Sequence, residues 1–308
     1  MINVKITIIL ATYNGEKYLE ELLNSILNQL YKEFKIVICD DISTDKTLNI
    51  LEKYQNKHTN KIEIYQNKKQ LGVVKNFEKL ITLADTEYIA LCDQDDVWHE
   101  NKLLEAIKCL EKKKERNIPL LFHSDLKIVN SQGNIVSNSF FKKRGYAFPK
   151  KQCFDVMLGR SGVMGNTMVF NQALKNKVLP FPEKLIVHDY WIALVNELEG
   201  ERFTYIEPLI NYRMHESNTS NSFRHEKQSL SNITLPYHKI HRKSVLEVFK
   251  ERFHLNPEEL IIIDAFMDYL SFKKNKLYLI GLIFRYNFFR LGLKYKLKLI
   301  GAMIWKKK

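Results

Sequence analysis

Short apolar runs alternate with helical stripes along the first 125 or so residues. Ile6 to Leu10, Lys35 to Cys39, Ile62 to Tyr65, Tyr88 to Cys92 and Leu120 to His123 are runs of β-branched and apolar residues with the length of buried strands. Between them Tyr18, Leu19, Leu22, Leu23, Ile26, Leu27 and Leu30 recur at the i, i+3, i+4 spacing of an amphipathic helix, and Leu103 to Leu110 repeats it less cleanly. Strands separated by helices predict βαβ units and a mostly parallel sheet with helices on both faces, and such sheets bind ligands at the carboxyl ends of their strands. From about 126 to 222 the pattern is less regular. It holds a turn at Ser131 to Asn134, a Gly-containing stretch from Gly159 to Gly165, a strand-like run from Thr167 to Phe170, a helical pattern from His188 through Leu198 and a strand-like run from Phe203 to Ile210. Beyond about 230 the chain reads as helical, and Leu277 to Phe284 is apolar but too short to span a bilayer before Arg285 interrupts it.

The polar residues fall where that layout puts a ligand. Ala11-Thr12-Tyr13-Asn14 follows the first strand, Asp40-Asp41-Ile42-Ser43-Thr44-Asp45 the second, and Asp93-Gln94-Asp95-Asp96 a later one. Ser43 and Thr44 are equally suited to capping the helix through Leu48 and Leu51. Three carboxylates within four positions repel one another, and a hard divalent cation such as Mg²⁺ or Mn²⁺, completing its shell with substrate phosphates, favours their ionised forms. The bland alternative is an acidic loop after a strand.

Composition sets the limits. With 308 residues, 45% hydrophobic and 27% charged, the chain is long enough for one sizeable core or for a core with an appendage. Its four cysteines, Cys39, Cys92, Cys109 and Cys153, have no paired spacing, which argues against a zinc site and a disulfide framework and for reduced thiols in a cytosolic setting. The N-terminus shows no basic region followed by a cleavage site, so no secretory signal is expected. The net charge of +13 is concentrated at the end: after Asp268 there is no acid, while Lys273, Lys274, Lys276, Arg285, Arg290, Lys294, Lys296, Lys298, Lys306, Lys307 and Lys308 follow, interleaved with aromatic and aliphatic residues. That composition suits a helix in an anionic membrane interface; a solvated basic face and a nucleic-acid patch are the alternatives, the latter without a recognised motif.

Six segments, in order, resemble a known family. Ala11-Thr12-Tyr13-Asn14-Gly15, Asp40-Asp41-x-Ser43-Thr44-Asp45, Cys92-Asp93-Gln94-Asp95-Asp96-Val97-Trp98, Gly165-Asn166-Thr167-Met168-Val169-Phe170, His188-Asp189-Tyr190-Trp191 and Tyr212-Arg213-x-His215 are similar to the family 2 glycosyltransferases of GT-A fold, in the rhamnosyltransferase-like branch of bacterial surface-polysaccharide synthesis. The resemblance covers about residues 1 to 220. It implies an α/β Rossmann-like nucleotide-binding sheet, mixed but mostly parallel, in a domain of residues 1–225, with 1–125 binding the nucleotide-sugar and 126–225 serving acceptor and catalysis. Residues 226–308 follow as a helical, basic, membrane-associating region.

The resemblance also implies roles. Ala11, Thr12, Tyr13, Asn14, Asp41, Asp93, Gln94 and Arg213 would bind a UDP- or dTDP-sugar, with Asp41 on the imide N–H of the base; Asp95 and His215 would hold Mn²⁺ or Mg²⁺; Asp189 would be the catalytic base; and Trp98, Asn166 and Trp191 would face sugar or acceptor. Lys75, outside these motifs, is a candidate phosphate contact with a solvated helix-face lysine as its alternative, and for His215 the alternative is a structural histidine. For Trp98 and Trp191 core packing is the equal alternative. For Asp189 it is a charge placed at a helix N-terminus. The expected reaction is inverting transfer of a sugar, with rhamnose favoured over glucose or galactose, to a polyprenyl-linked or polysaccharide acceptor at the inner face of the cell membrane. A nucleotidyltransferase and a non-catalytic basic membrane-binding module are the alternatives. The helical C-terminal third is suited to pairing two chains as readily as to touching lipid.

Overall fold

The computed structural model describes residues 5–146, 148, 153–160, 162–216, 218, 236–271, 274–286, 288, 297, 300 and 301. The chain forms two compact units, one of residues 1–150, 163–181 and 187–215 and the other of residues 151–162, 182–186 and 216–308.

The apolar runs become the sheet of the first unit. Its strands are β1 (Ile6–Thr12), β2 (Phe34–Asp40), β3 (Ile62–Gln66), β4 (Tyr88–Cys92), β5 (Val97–Trp98), β6 (Leu120–Val129), β7 (Ile135–Ser137), β8 (Val169–Asn171) and β9 (Glu201–Arg213), in the order β3-β2-β1-β4-β8-β6-β9-β5 with β7 on β6. β2 and β4 flank β1 in parallel, β8 lies antiparallel between β4 and β6, and β6 pairs with β9 in parallel. Ile6, Ile8, Ile9 and Leu10 are wholly buried, as are Tyr88 to Cys92, because a parallel sheet covered on both faces needs continuous rather than alternating apolar runs. Register then sets the ligand edge. Thr12 pairs with Asp40 and Leu10 with Cys92, so the three polar segments emerge side by side.

Helices α1 (Leu19–Leu27), α2 (Thr47–Lys57), α3 (Val73–Leu83), α4 (Lys102–Leu110), α5 (Phe140–Arg144), α7 (Gln172–Val178) and α8 (His188–Glu199) complete this unit. α1 buries Leu19, Leu22, Leu23 and Ile26, the expected stripe, but stops at Leu27: Leu30 is outside the helix and its N–H donates to the Glu100 carbonyl at 2.8 Å. Ser43 and Thr44 do not cap α2. The helix begins at Thr47, whose N–H and hydroxyl both go to Asp45 Oδ1, at 2.9 and 2.5 Å. β9 runs past Ile210 to Arg213, so that arginine belongs to the strand itself.

The second unit is helical: α6 (Phe154–Arg160), α9 (Pro236–Arg252), α10 (Pro257–Ser271) and α11 (Lys276–Arg285). Phe249 packs on Phe154 and Phe253, with ring centroids 5.9 and 4.8 Å apart, and Phe266 packs on Phe288 at 4.9 Å. Gly159 is required where α6 meets the backbone at Phe288, since a β-carbon there would stand 1.5 Å from that carbonyl oxygen. Of the basic tail, Lys273, Arg290, Lys294, Lys296, Lys298 and Lys306 to Lys308 lie outside the described residues. No disulfide joins the four cysteines, and Cys39 and Cys92 are buried. Among the described residues no helix is long and apolar enough to cross a membrane.

Candidate active site

The loop after β1 is tied to both of its neighbours. Gln94 clamps the backbone of Tyr13, accepting from its N–H and donating to its carbonyl, each at 2.9 Å. Gly15 leaves room for that clamp, because a β-carbon there would lie 2.4 Å from Gln94 Oε1. Asn14 takes the left-handed conformation (φ 47°); its N–H donates to Ser43 Oγ at 2.9 Å and its Oδ1 accepts from the Thr44 N–H at 2.8 Å. Thr12 Oγ1 donates to the buried Asp40 at 3.0 Å, and Ala11 sits on β1 opposite Cys39.

Beyond β2, Asp40 also accepts from the Ser43 hydroxyl and N–H, at 2.5 and 2.9 Å. The turn they close forces Ile42 to φ 64°, a costly conformation for a β-branched residue and one that persists where surrounding bonds over-determine it. Asp41 is buried. Its Oδ1 accepts from Asn67 Nδ2 and the Leu71 N–H, and its Oδ2 from the Gly72 N–H, all at 2.8 Å. It thereby fixes the start of α3, whose first turn carries Lys75; that lysine pairs with Glu78 at 2.6 Å and is half-exposed.

The acidic loop meets the end of β9. Asp95 Oδ2 and His215 Nε2 lie 2.8 Å apart. Arg213 Nε donates to the Asp95 carbonyl at 3.1 Å and Nη2 to Glu21 at 2.5 Å, while its guanidinium covers the Tyr18 ring at 4.6 Å. Asp96 is wholly buried and accepts from the Arg213 N–H at 3.2 Å and from Asn166 Nδ2 at 2.5 Å. Lost hydration, then the Asp95 and Asp93 charges, push its carboxyl well above the usual range. Asp93 is half-buried; lost hydration, then Asp95 and Asp189, push it up to about 7.

Asp189 stands in the first turn of α8, where a negative charge is favoured, and its Oδ2 accepts from the Gly165 N–H at 3.2 Å. Beside it the His188 ring stacks on Phe77 at 4.3 Å, and desolvation pulls its pKa to about 4, so the imidazole is neutral at neutral pH.

The fold therefore gathers Thr12 to Asn14, Asp93 to Asp95, Asp189, Arg213 and His215 at one edge, and it turns three expected contact residues away from it. Trp191 is wholly buried and its indole N–H donates to the Val178 carbonyl at 2.9 Å. Trp98 is 3% exposed, and Asn166 is 1% exposed with its amide on Asp96. None of the three presents a face to a sugar: the two indoles gain more from burial in the core than from the cleft, and the Asn166 Nδ2 is taken by Asp96. Sequence reasoning missed Tyr18 and Glu21, which hold the Arg213 guanidinium. Glu21 looks like any acid in a first helical turn.

A divalent cation fits this edge by the chemistry of its donors. A carboxylate oxygen and an imidazole nitrogen already face one another on Asp95 and His215, and the repulsion that raises Asp93 is what a cation relieves. Among the described residues no group of three His, Cys, Asp or Glu is placed to enclose an ion.

The sequence profile described as "Glycosyl transferase family 2" matches residues 7–164. The chain is 30% identical over 251 residues to a Shigella flexneri protein named dTDP-rhamnosyl transferase RfbG, covering 78% of this chain and 83% of that one. Residues 1–349 of Staphylococcus aureus TarS, solved with UDP-GlcNAc, superpose with a TM-score of 0.62 at 20% identity over 97% of this chain and 79% of that one. The mannosyltransferase PcManGT of Pyrobaculum calidifontis, solved with GDP-Man and Mn²⁺, superposes at 0.53 with 15% identity over 99% and 88% of the two chains.

Proposed function

Because the chain belongs to glycosyltransferase family 2, we propose that it transfers a sugar, with inversion, from a UDP- or dTDP-linked donor to a lipid-linked or polysaccharide acceptor in surface-glycan synthesis. One observation carries this reading: Asp93 and Asp95, Asp189 and His215, from three separate segments, meet beside the backbone loop of Thr12 to Asn14. Membership in the family removes the nucleotidyltransferase alternative. The S. flexneri relative's name favours a dTDP-rhamnose donor.

The residues divide the work. Asp41, whose oxygens hold Asn67, Leu71 and Gly72 in the fold, would meet the imide N–H of uracil or thymine through Oδ2. The Thr12 to Asn14 loop, with Gln94 locking its backbone, holds the nucleoside, and Asp93 faces the ribose. Arg213 backs the diphosphate. Asp189 accepts the proton of the acceptor hydroxyl as the hydroxyl attacks the anomeric carbon. A divalent cation held by Asp95 and His215 would supply the positive charge for the departing nucleoside diphosphate.

The membrane-surface reading rests on α11. Leu279, Leu282 and Ile283 are buried, whereas Leu277 is 83% and Phe284 50% exposed, between Lys274, Lys276 and Arg285. An apolar strip framed by bases suits an anionic interface, which would keep the enzyme near a polyprenyl-linked acceptor.

Calorimetric titration of the protein and of Asp95→Ala with UDP and dTDP, with and without Mn²⁺, tests the central reading. Metal-dependent binding that the variant loses is the expected result. Binding of neither nucleotide under any condition would overturn it.

A further inference from the structure

Asn67 is the first residue after β3, and its N–H donates to the Asp40 carbonyl at 2.9 Å, so it stands at the same sheet edge as Asp41. An asparagine amide can donate two hydrogen bonds and accept two, and the buried amide of Asn67 makes all four. Nδ2 donates to Asp41 Oδ1 at 2.8 Å and to Asn76 Oδ1 at 3.2 Å; Oδ1 accepts from Lys79 Nζ at 2.8 Å and from the Cys39 thiol at 3.3 Å. Asn76, also buried, is fixed in turn by donating to the Cys39 carbonyl at 2.8 Å. The two ends of the Asn67 amide are not interchangeable. An ammonium only donates and the Asp41 oxygens accept, so Lys79 takes the oxygen end and Asp41 the nitrogen end; turned over, the amide would set donor against donor and acceptor against acceptor. Lys75, one turn before Lys79 on α3, pairs with Glu78 at the surface, whereas Lys79 reaches inward to this amide. A single side chain thus couples the ammonium on α3 to the Asp41 carboxyl, away from bulk water, where each hydrogen bond polarises the next.

We propose that Asn67 and Lys79 are positioning residues for base recognition: through the Asn67 amide, Lys79 holds the Asp41 carboxyl in the orientation that meets an imide N–H, and so sets the preference for uracil or thymine over cytosine. The proposal rests on the reading of Asp41 as the group that meets the base, and both residues act through Asp41. Uracil and thymine carry a proton at N3, whereas cytosine presents a lone pair there, which a fixed carboxylate oxygen rejects. A carboxyl that turns away loses the attraction and the rejection together. The ratio of UDP to CDP affinity therefore reports where the carboxyl points, while a general weakening of the fold or of the phosphate contacts lowers both affinities alike.

The test is calorimetric titration of the full chain with UDP and with CDP, in the presence of Mn²⁺, for the parent, Lys79→Met, Asn67→Asp and Lys68→Met. Lys79→Met removes the ammonium at similar side-chain length and is expected to lower the UDP-to-CDP ratio by about tenfold, the scale of one charge-assisted hydrogen bond. Asn67→Asp keeps an acceptor for Lys79 but turns the donor to Asp41 into a second carboxylate oxygen, and is expected to lower the ratio at least as far. Lys68→Met takes the same charge from an exposed neighbour and is expected to leave the ratio unchanged.

A ratio that stays at the parent value in Lys79→Met or in folded Asn67→Asp, or that falls equally in Lys68→Met, overturns the proposal. If Asn67→Asp fails to fold, Lys79→Met, whose side chain is only partly buried, decides alone. A parent that binds UDP and CDP equally, or neither, overturns the reading of Asp41 itself and the proposal with it. A parent that prefers UDP beside variants that keep its preference overturns only the part assigned to Asn67 and Lys79.

Discussion

Asp95 and His215, 120 positions apart in the chain, share a hydrogen bond of 2.8 Å. Their meeting depends on β9 lying antiparallel beside β5, Val97 opposite Asn211, which sets the strand's end against the acidic loop, and on Arg213 gripping that loop through the Asp95 carbonyl and Asp96. If this pair holds the cation, His215→Gln weakens Mn²⁺-dependent UDP binding by at least about tenfold, roughly 1.4 kcal/mol, while metal-free melting stays unchanged. Unaltered affinity in calorimetry would remove His215 from the site.

Gly15 and Gln94 make a second test of the edge. Gly15→Ala places a β-carbon 2.4 Å from Gln94 Oε1 and breaks the clamp on Tyr13, at about 1–3 kcal/mol of overpacking. Nucleotide affinity should fall with stability, and adding Gln94→Ala should restore stability but not affinity. Chemical denaturation beside nucleotide titration separates the two.

Ile42 stores strain at φ 64°. Asn tolerates that region, so Ile42→Asn should stabilise the fold by about 1 kcal/mol and raise the melting midpoint by about 2–4 °C. A drop in the midpoint would mean that the packing of Ile42 outweighs its backbone strain.

Acid should destabilise this protein through two desolvated histidines, His188 and His123. Desolvation holds His188 at about 4 in the fold against about 6.5 in the unfolded chain, so between those values the unfolded chain binds the proton and the fold does not. Stability is therefore complete above about pH 6.5 and declines as the pH falls toward 4, by about 1–2 kcal/mol at pH 5 for this residue. His123, lowered by burial and then by Arg202, adds a change of the same sign. His188→Phe keeps a ring on Phe77 and should make the decline between pH 7.5 and 5.0 shallower in urea unfolding; an unchanged decline would show that His188 protonates freely in the fold.

The α11 strip predicts lipid binding that depends on charge and apolar contact together. Leu277→Glu with Phe284→Glu should abolish co-sedimentation with phosphatidylglycerol vesicles, and raised salt should weaken that of the unaltered protein. Equal sedimentation of variant and parent would dismiss the strip as a membrane contact.

What the sequence determined by itself is everything that depends on neighbours along the chain. Ile6 to Leu10 and Tyr88 to Cys92 are strands because continuous apolar runs of that length leave a chain little else to do than be buried in a sheet, and the polar residues after them must emerge at its carboxyl edge. The stripe from Leu19 to Ile26 fixes the buried face of α1 for the same reason. The tertiary structure alone decided what crosses the chain: that Trp191 belongs to the core and donates to Val178, that Asn166 turns to Asp96, that Glu21 meets Arg213, and that Lys102 points inward while Lys108 points out. A side chain's hydrogen-bonding capacity is written in its type, but its partner depends on strand order and on the charge left uncompensated beside it, and neither has a period along the sequence that could be read in advance.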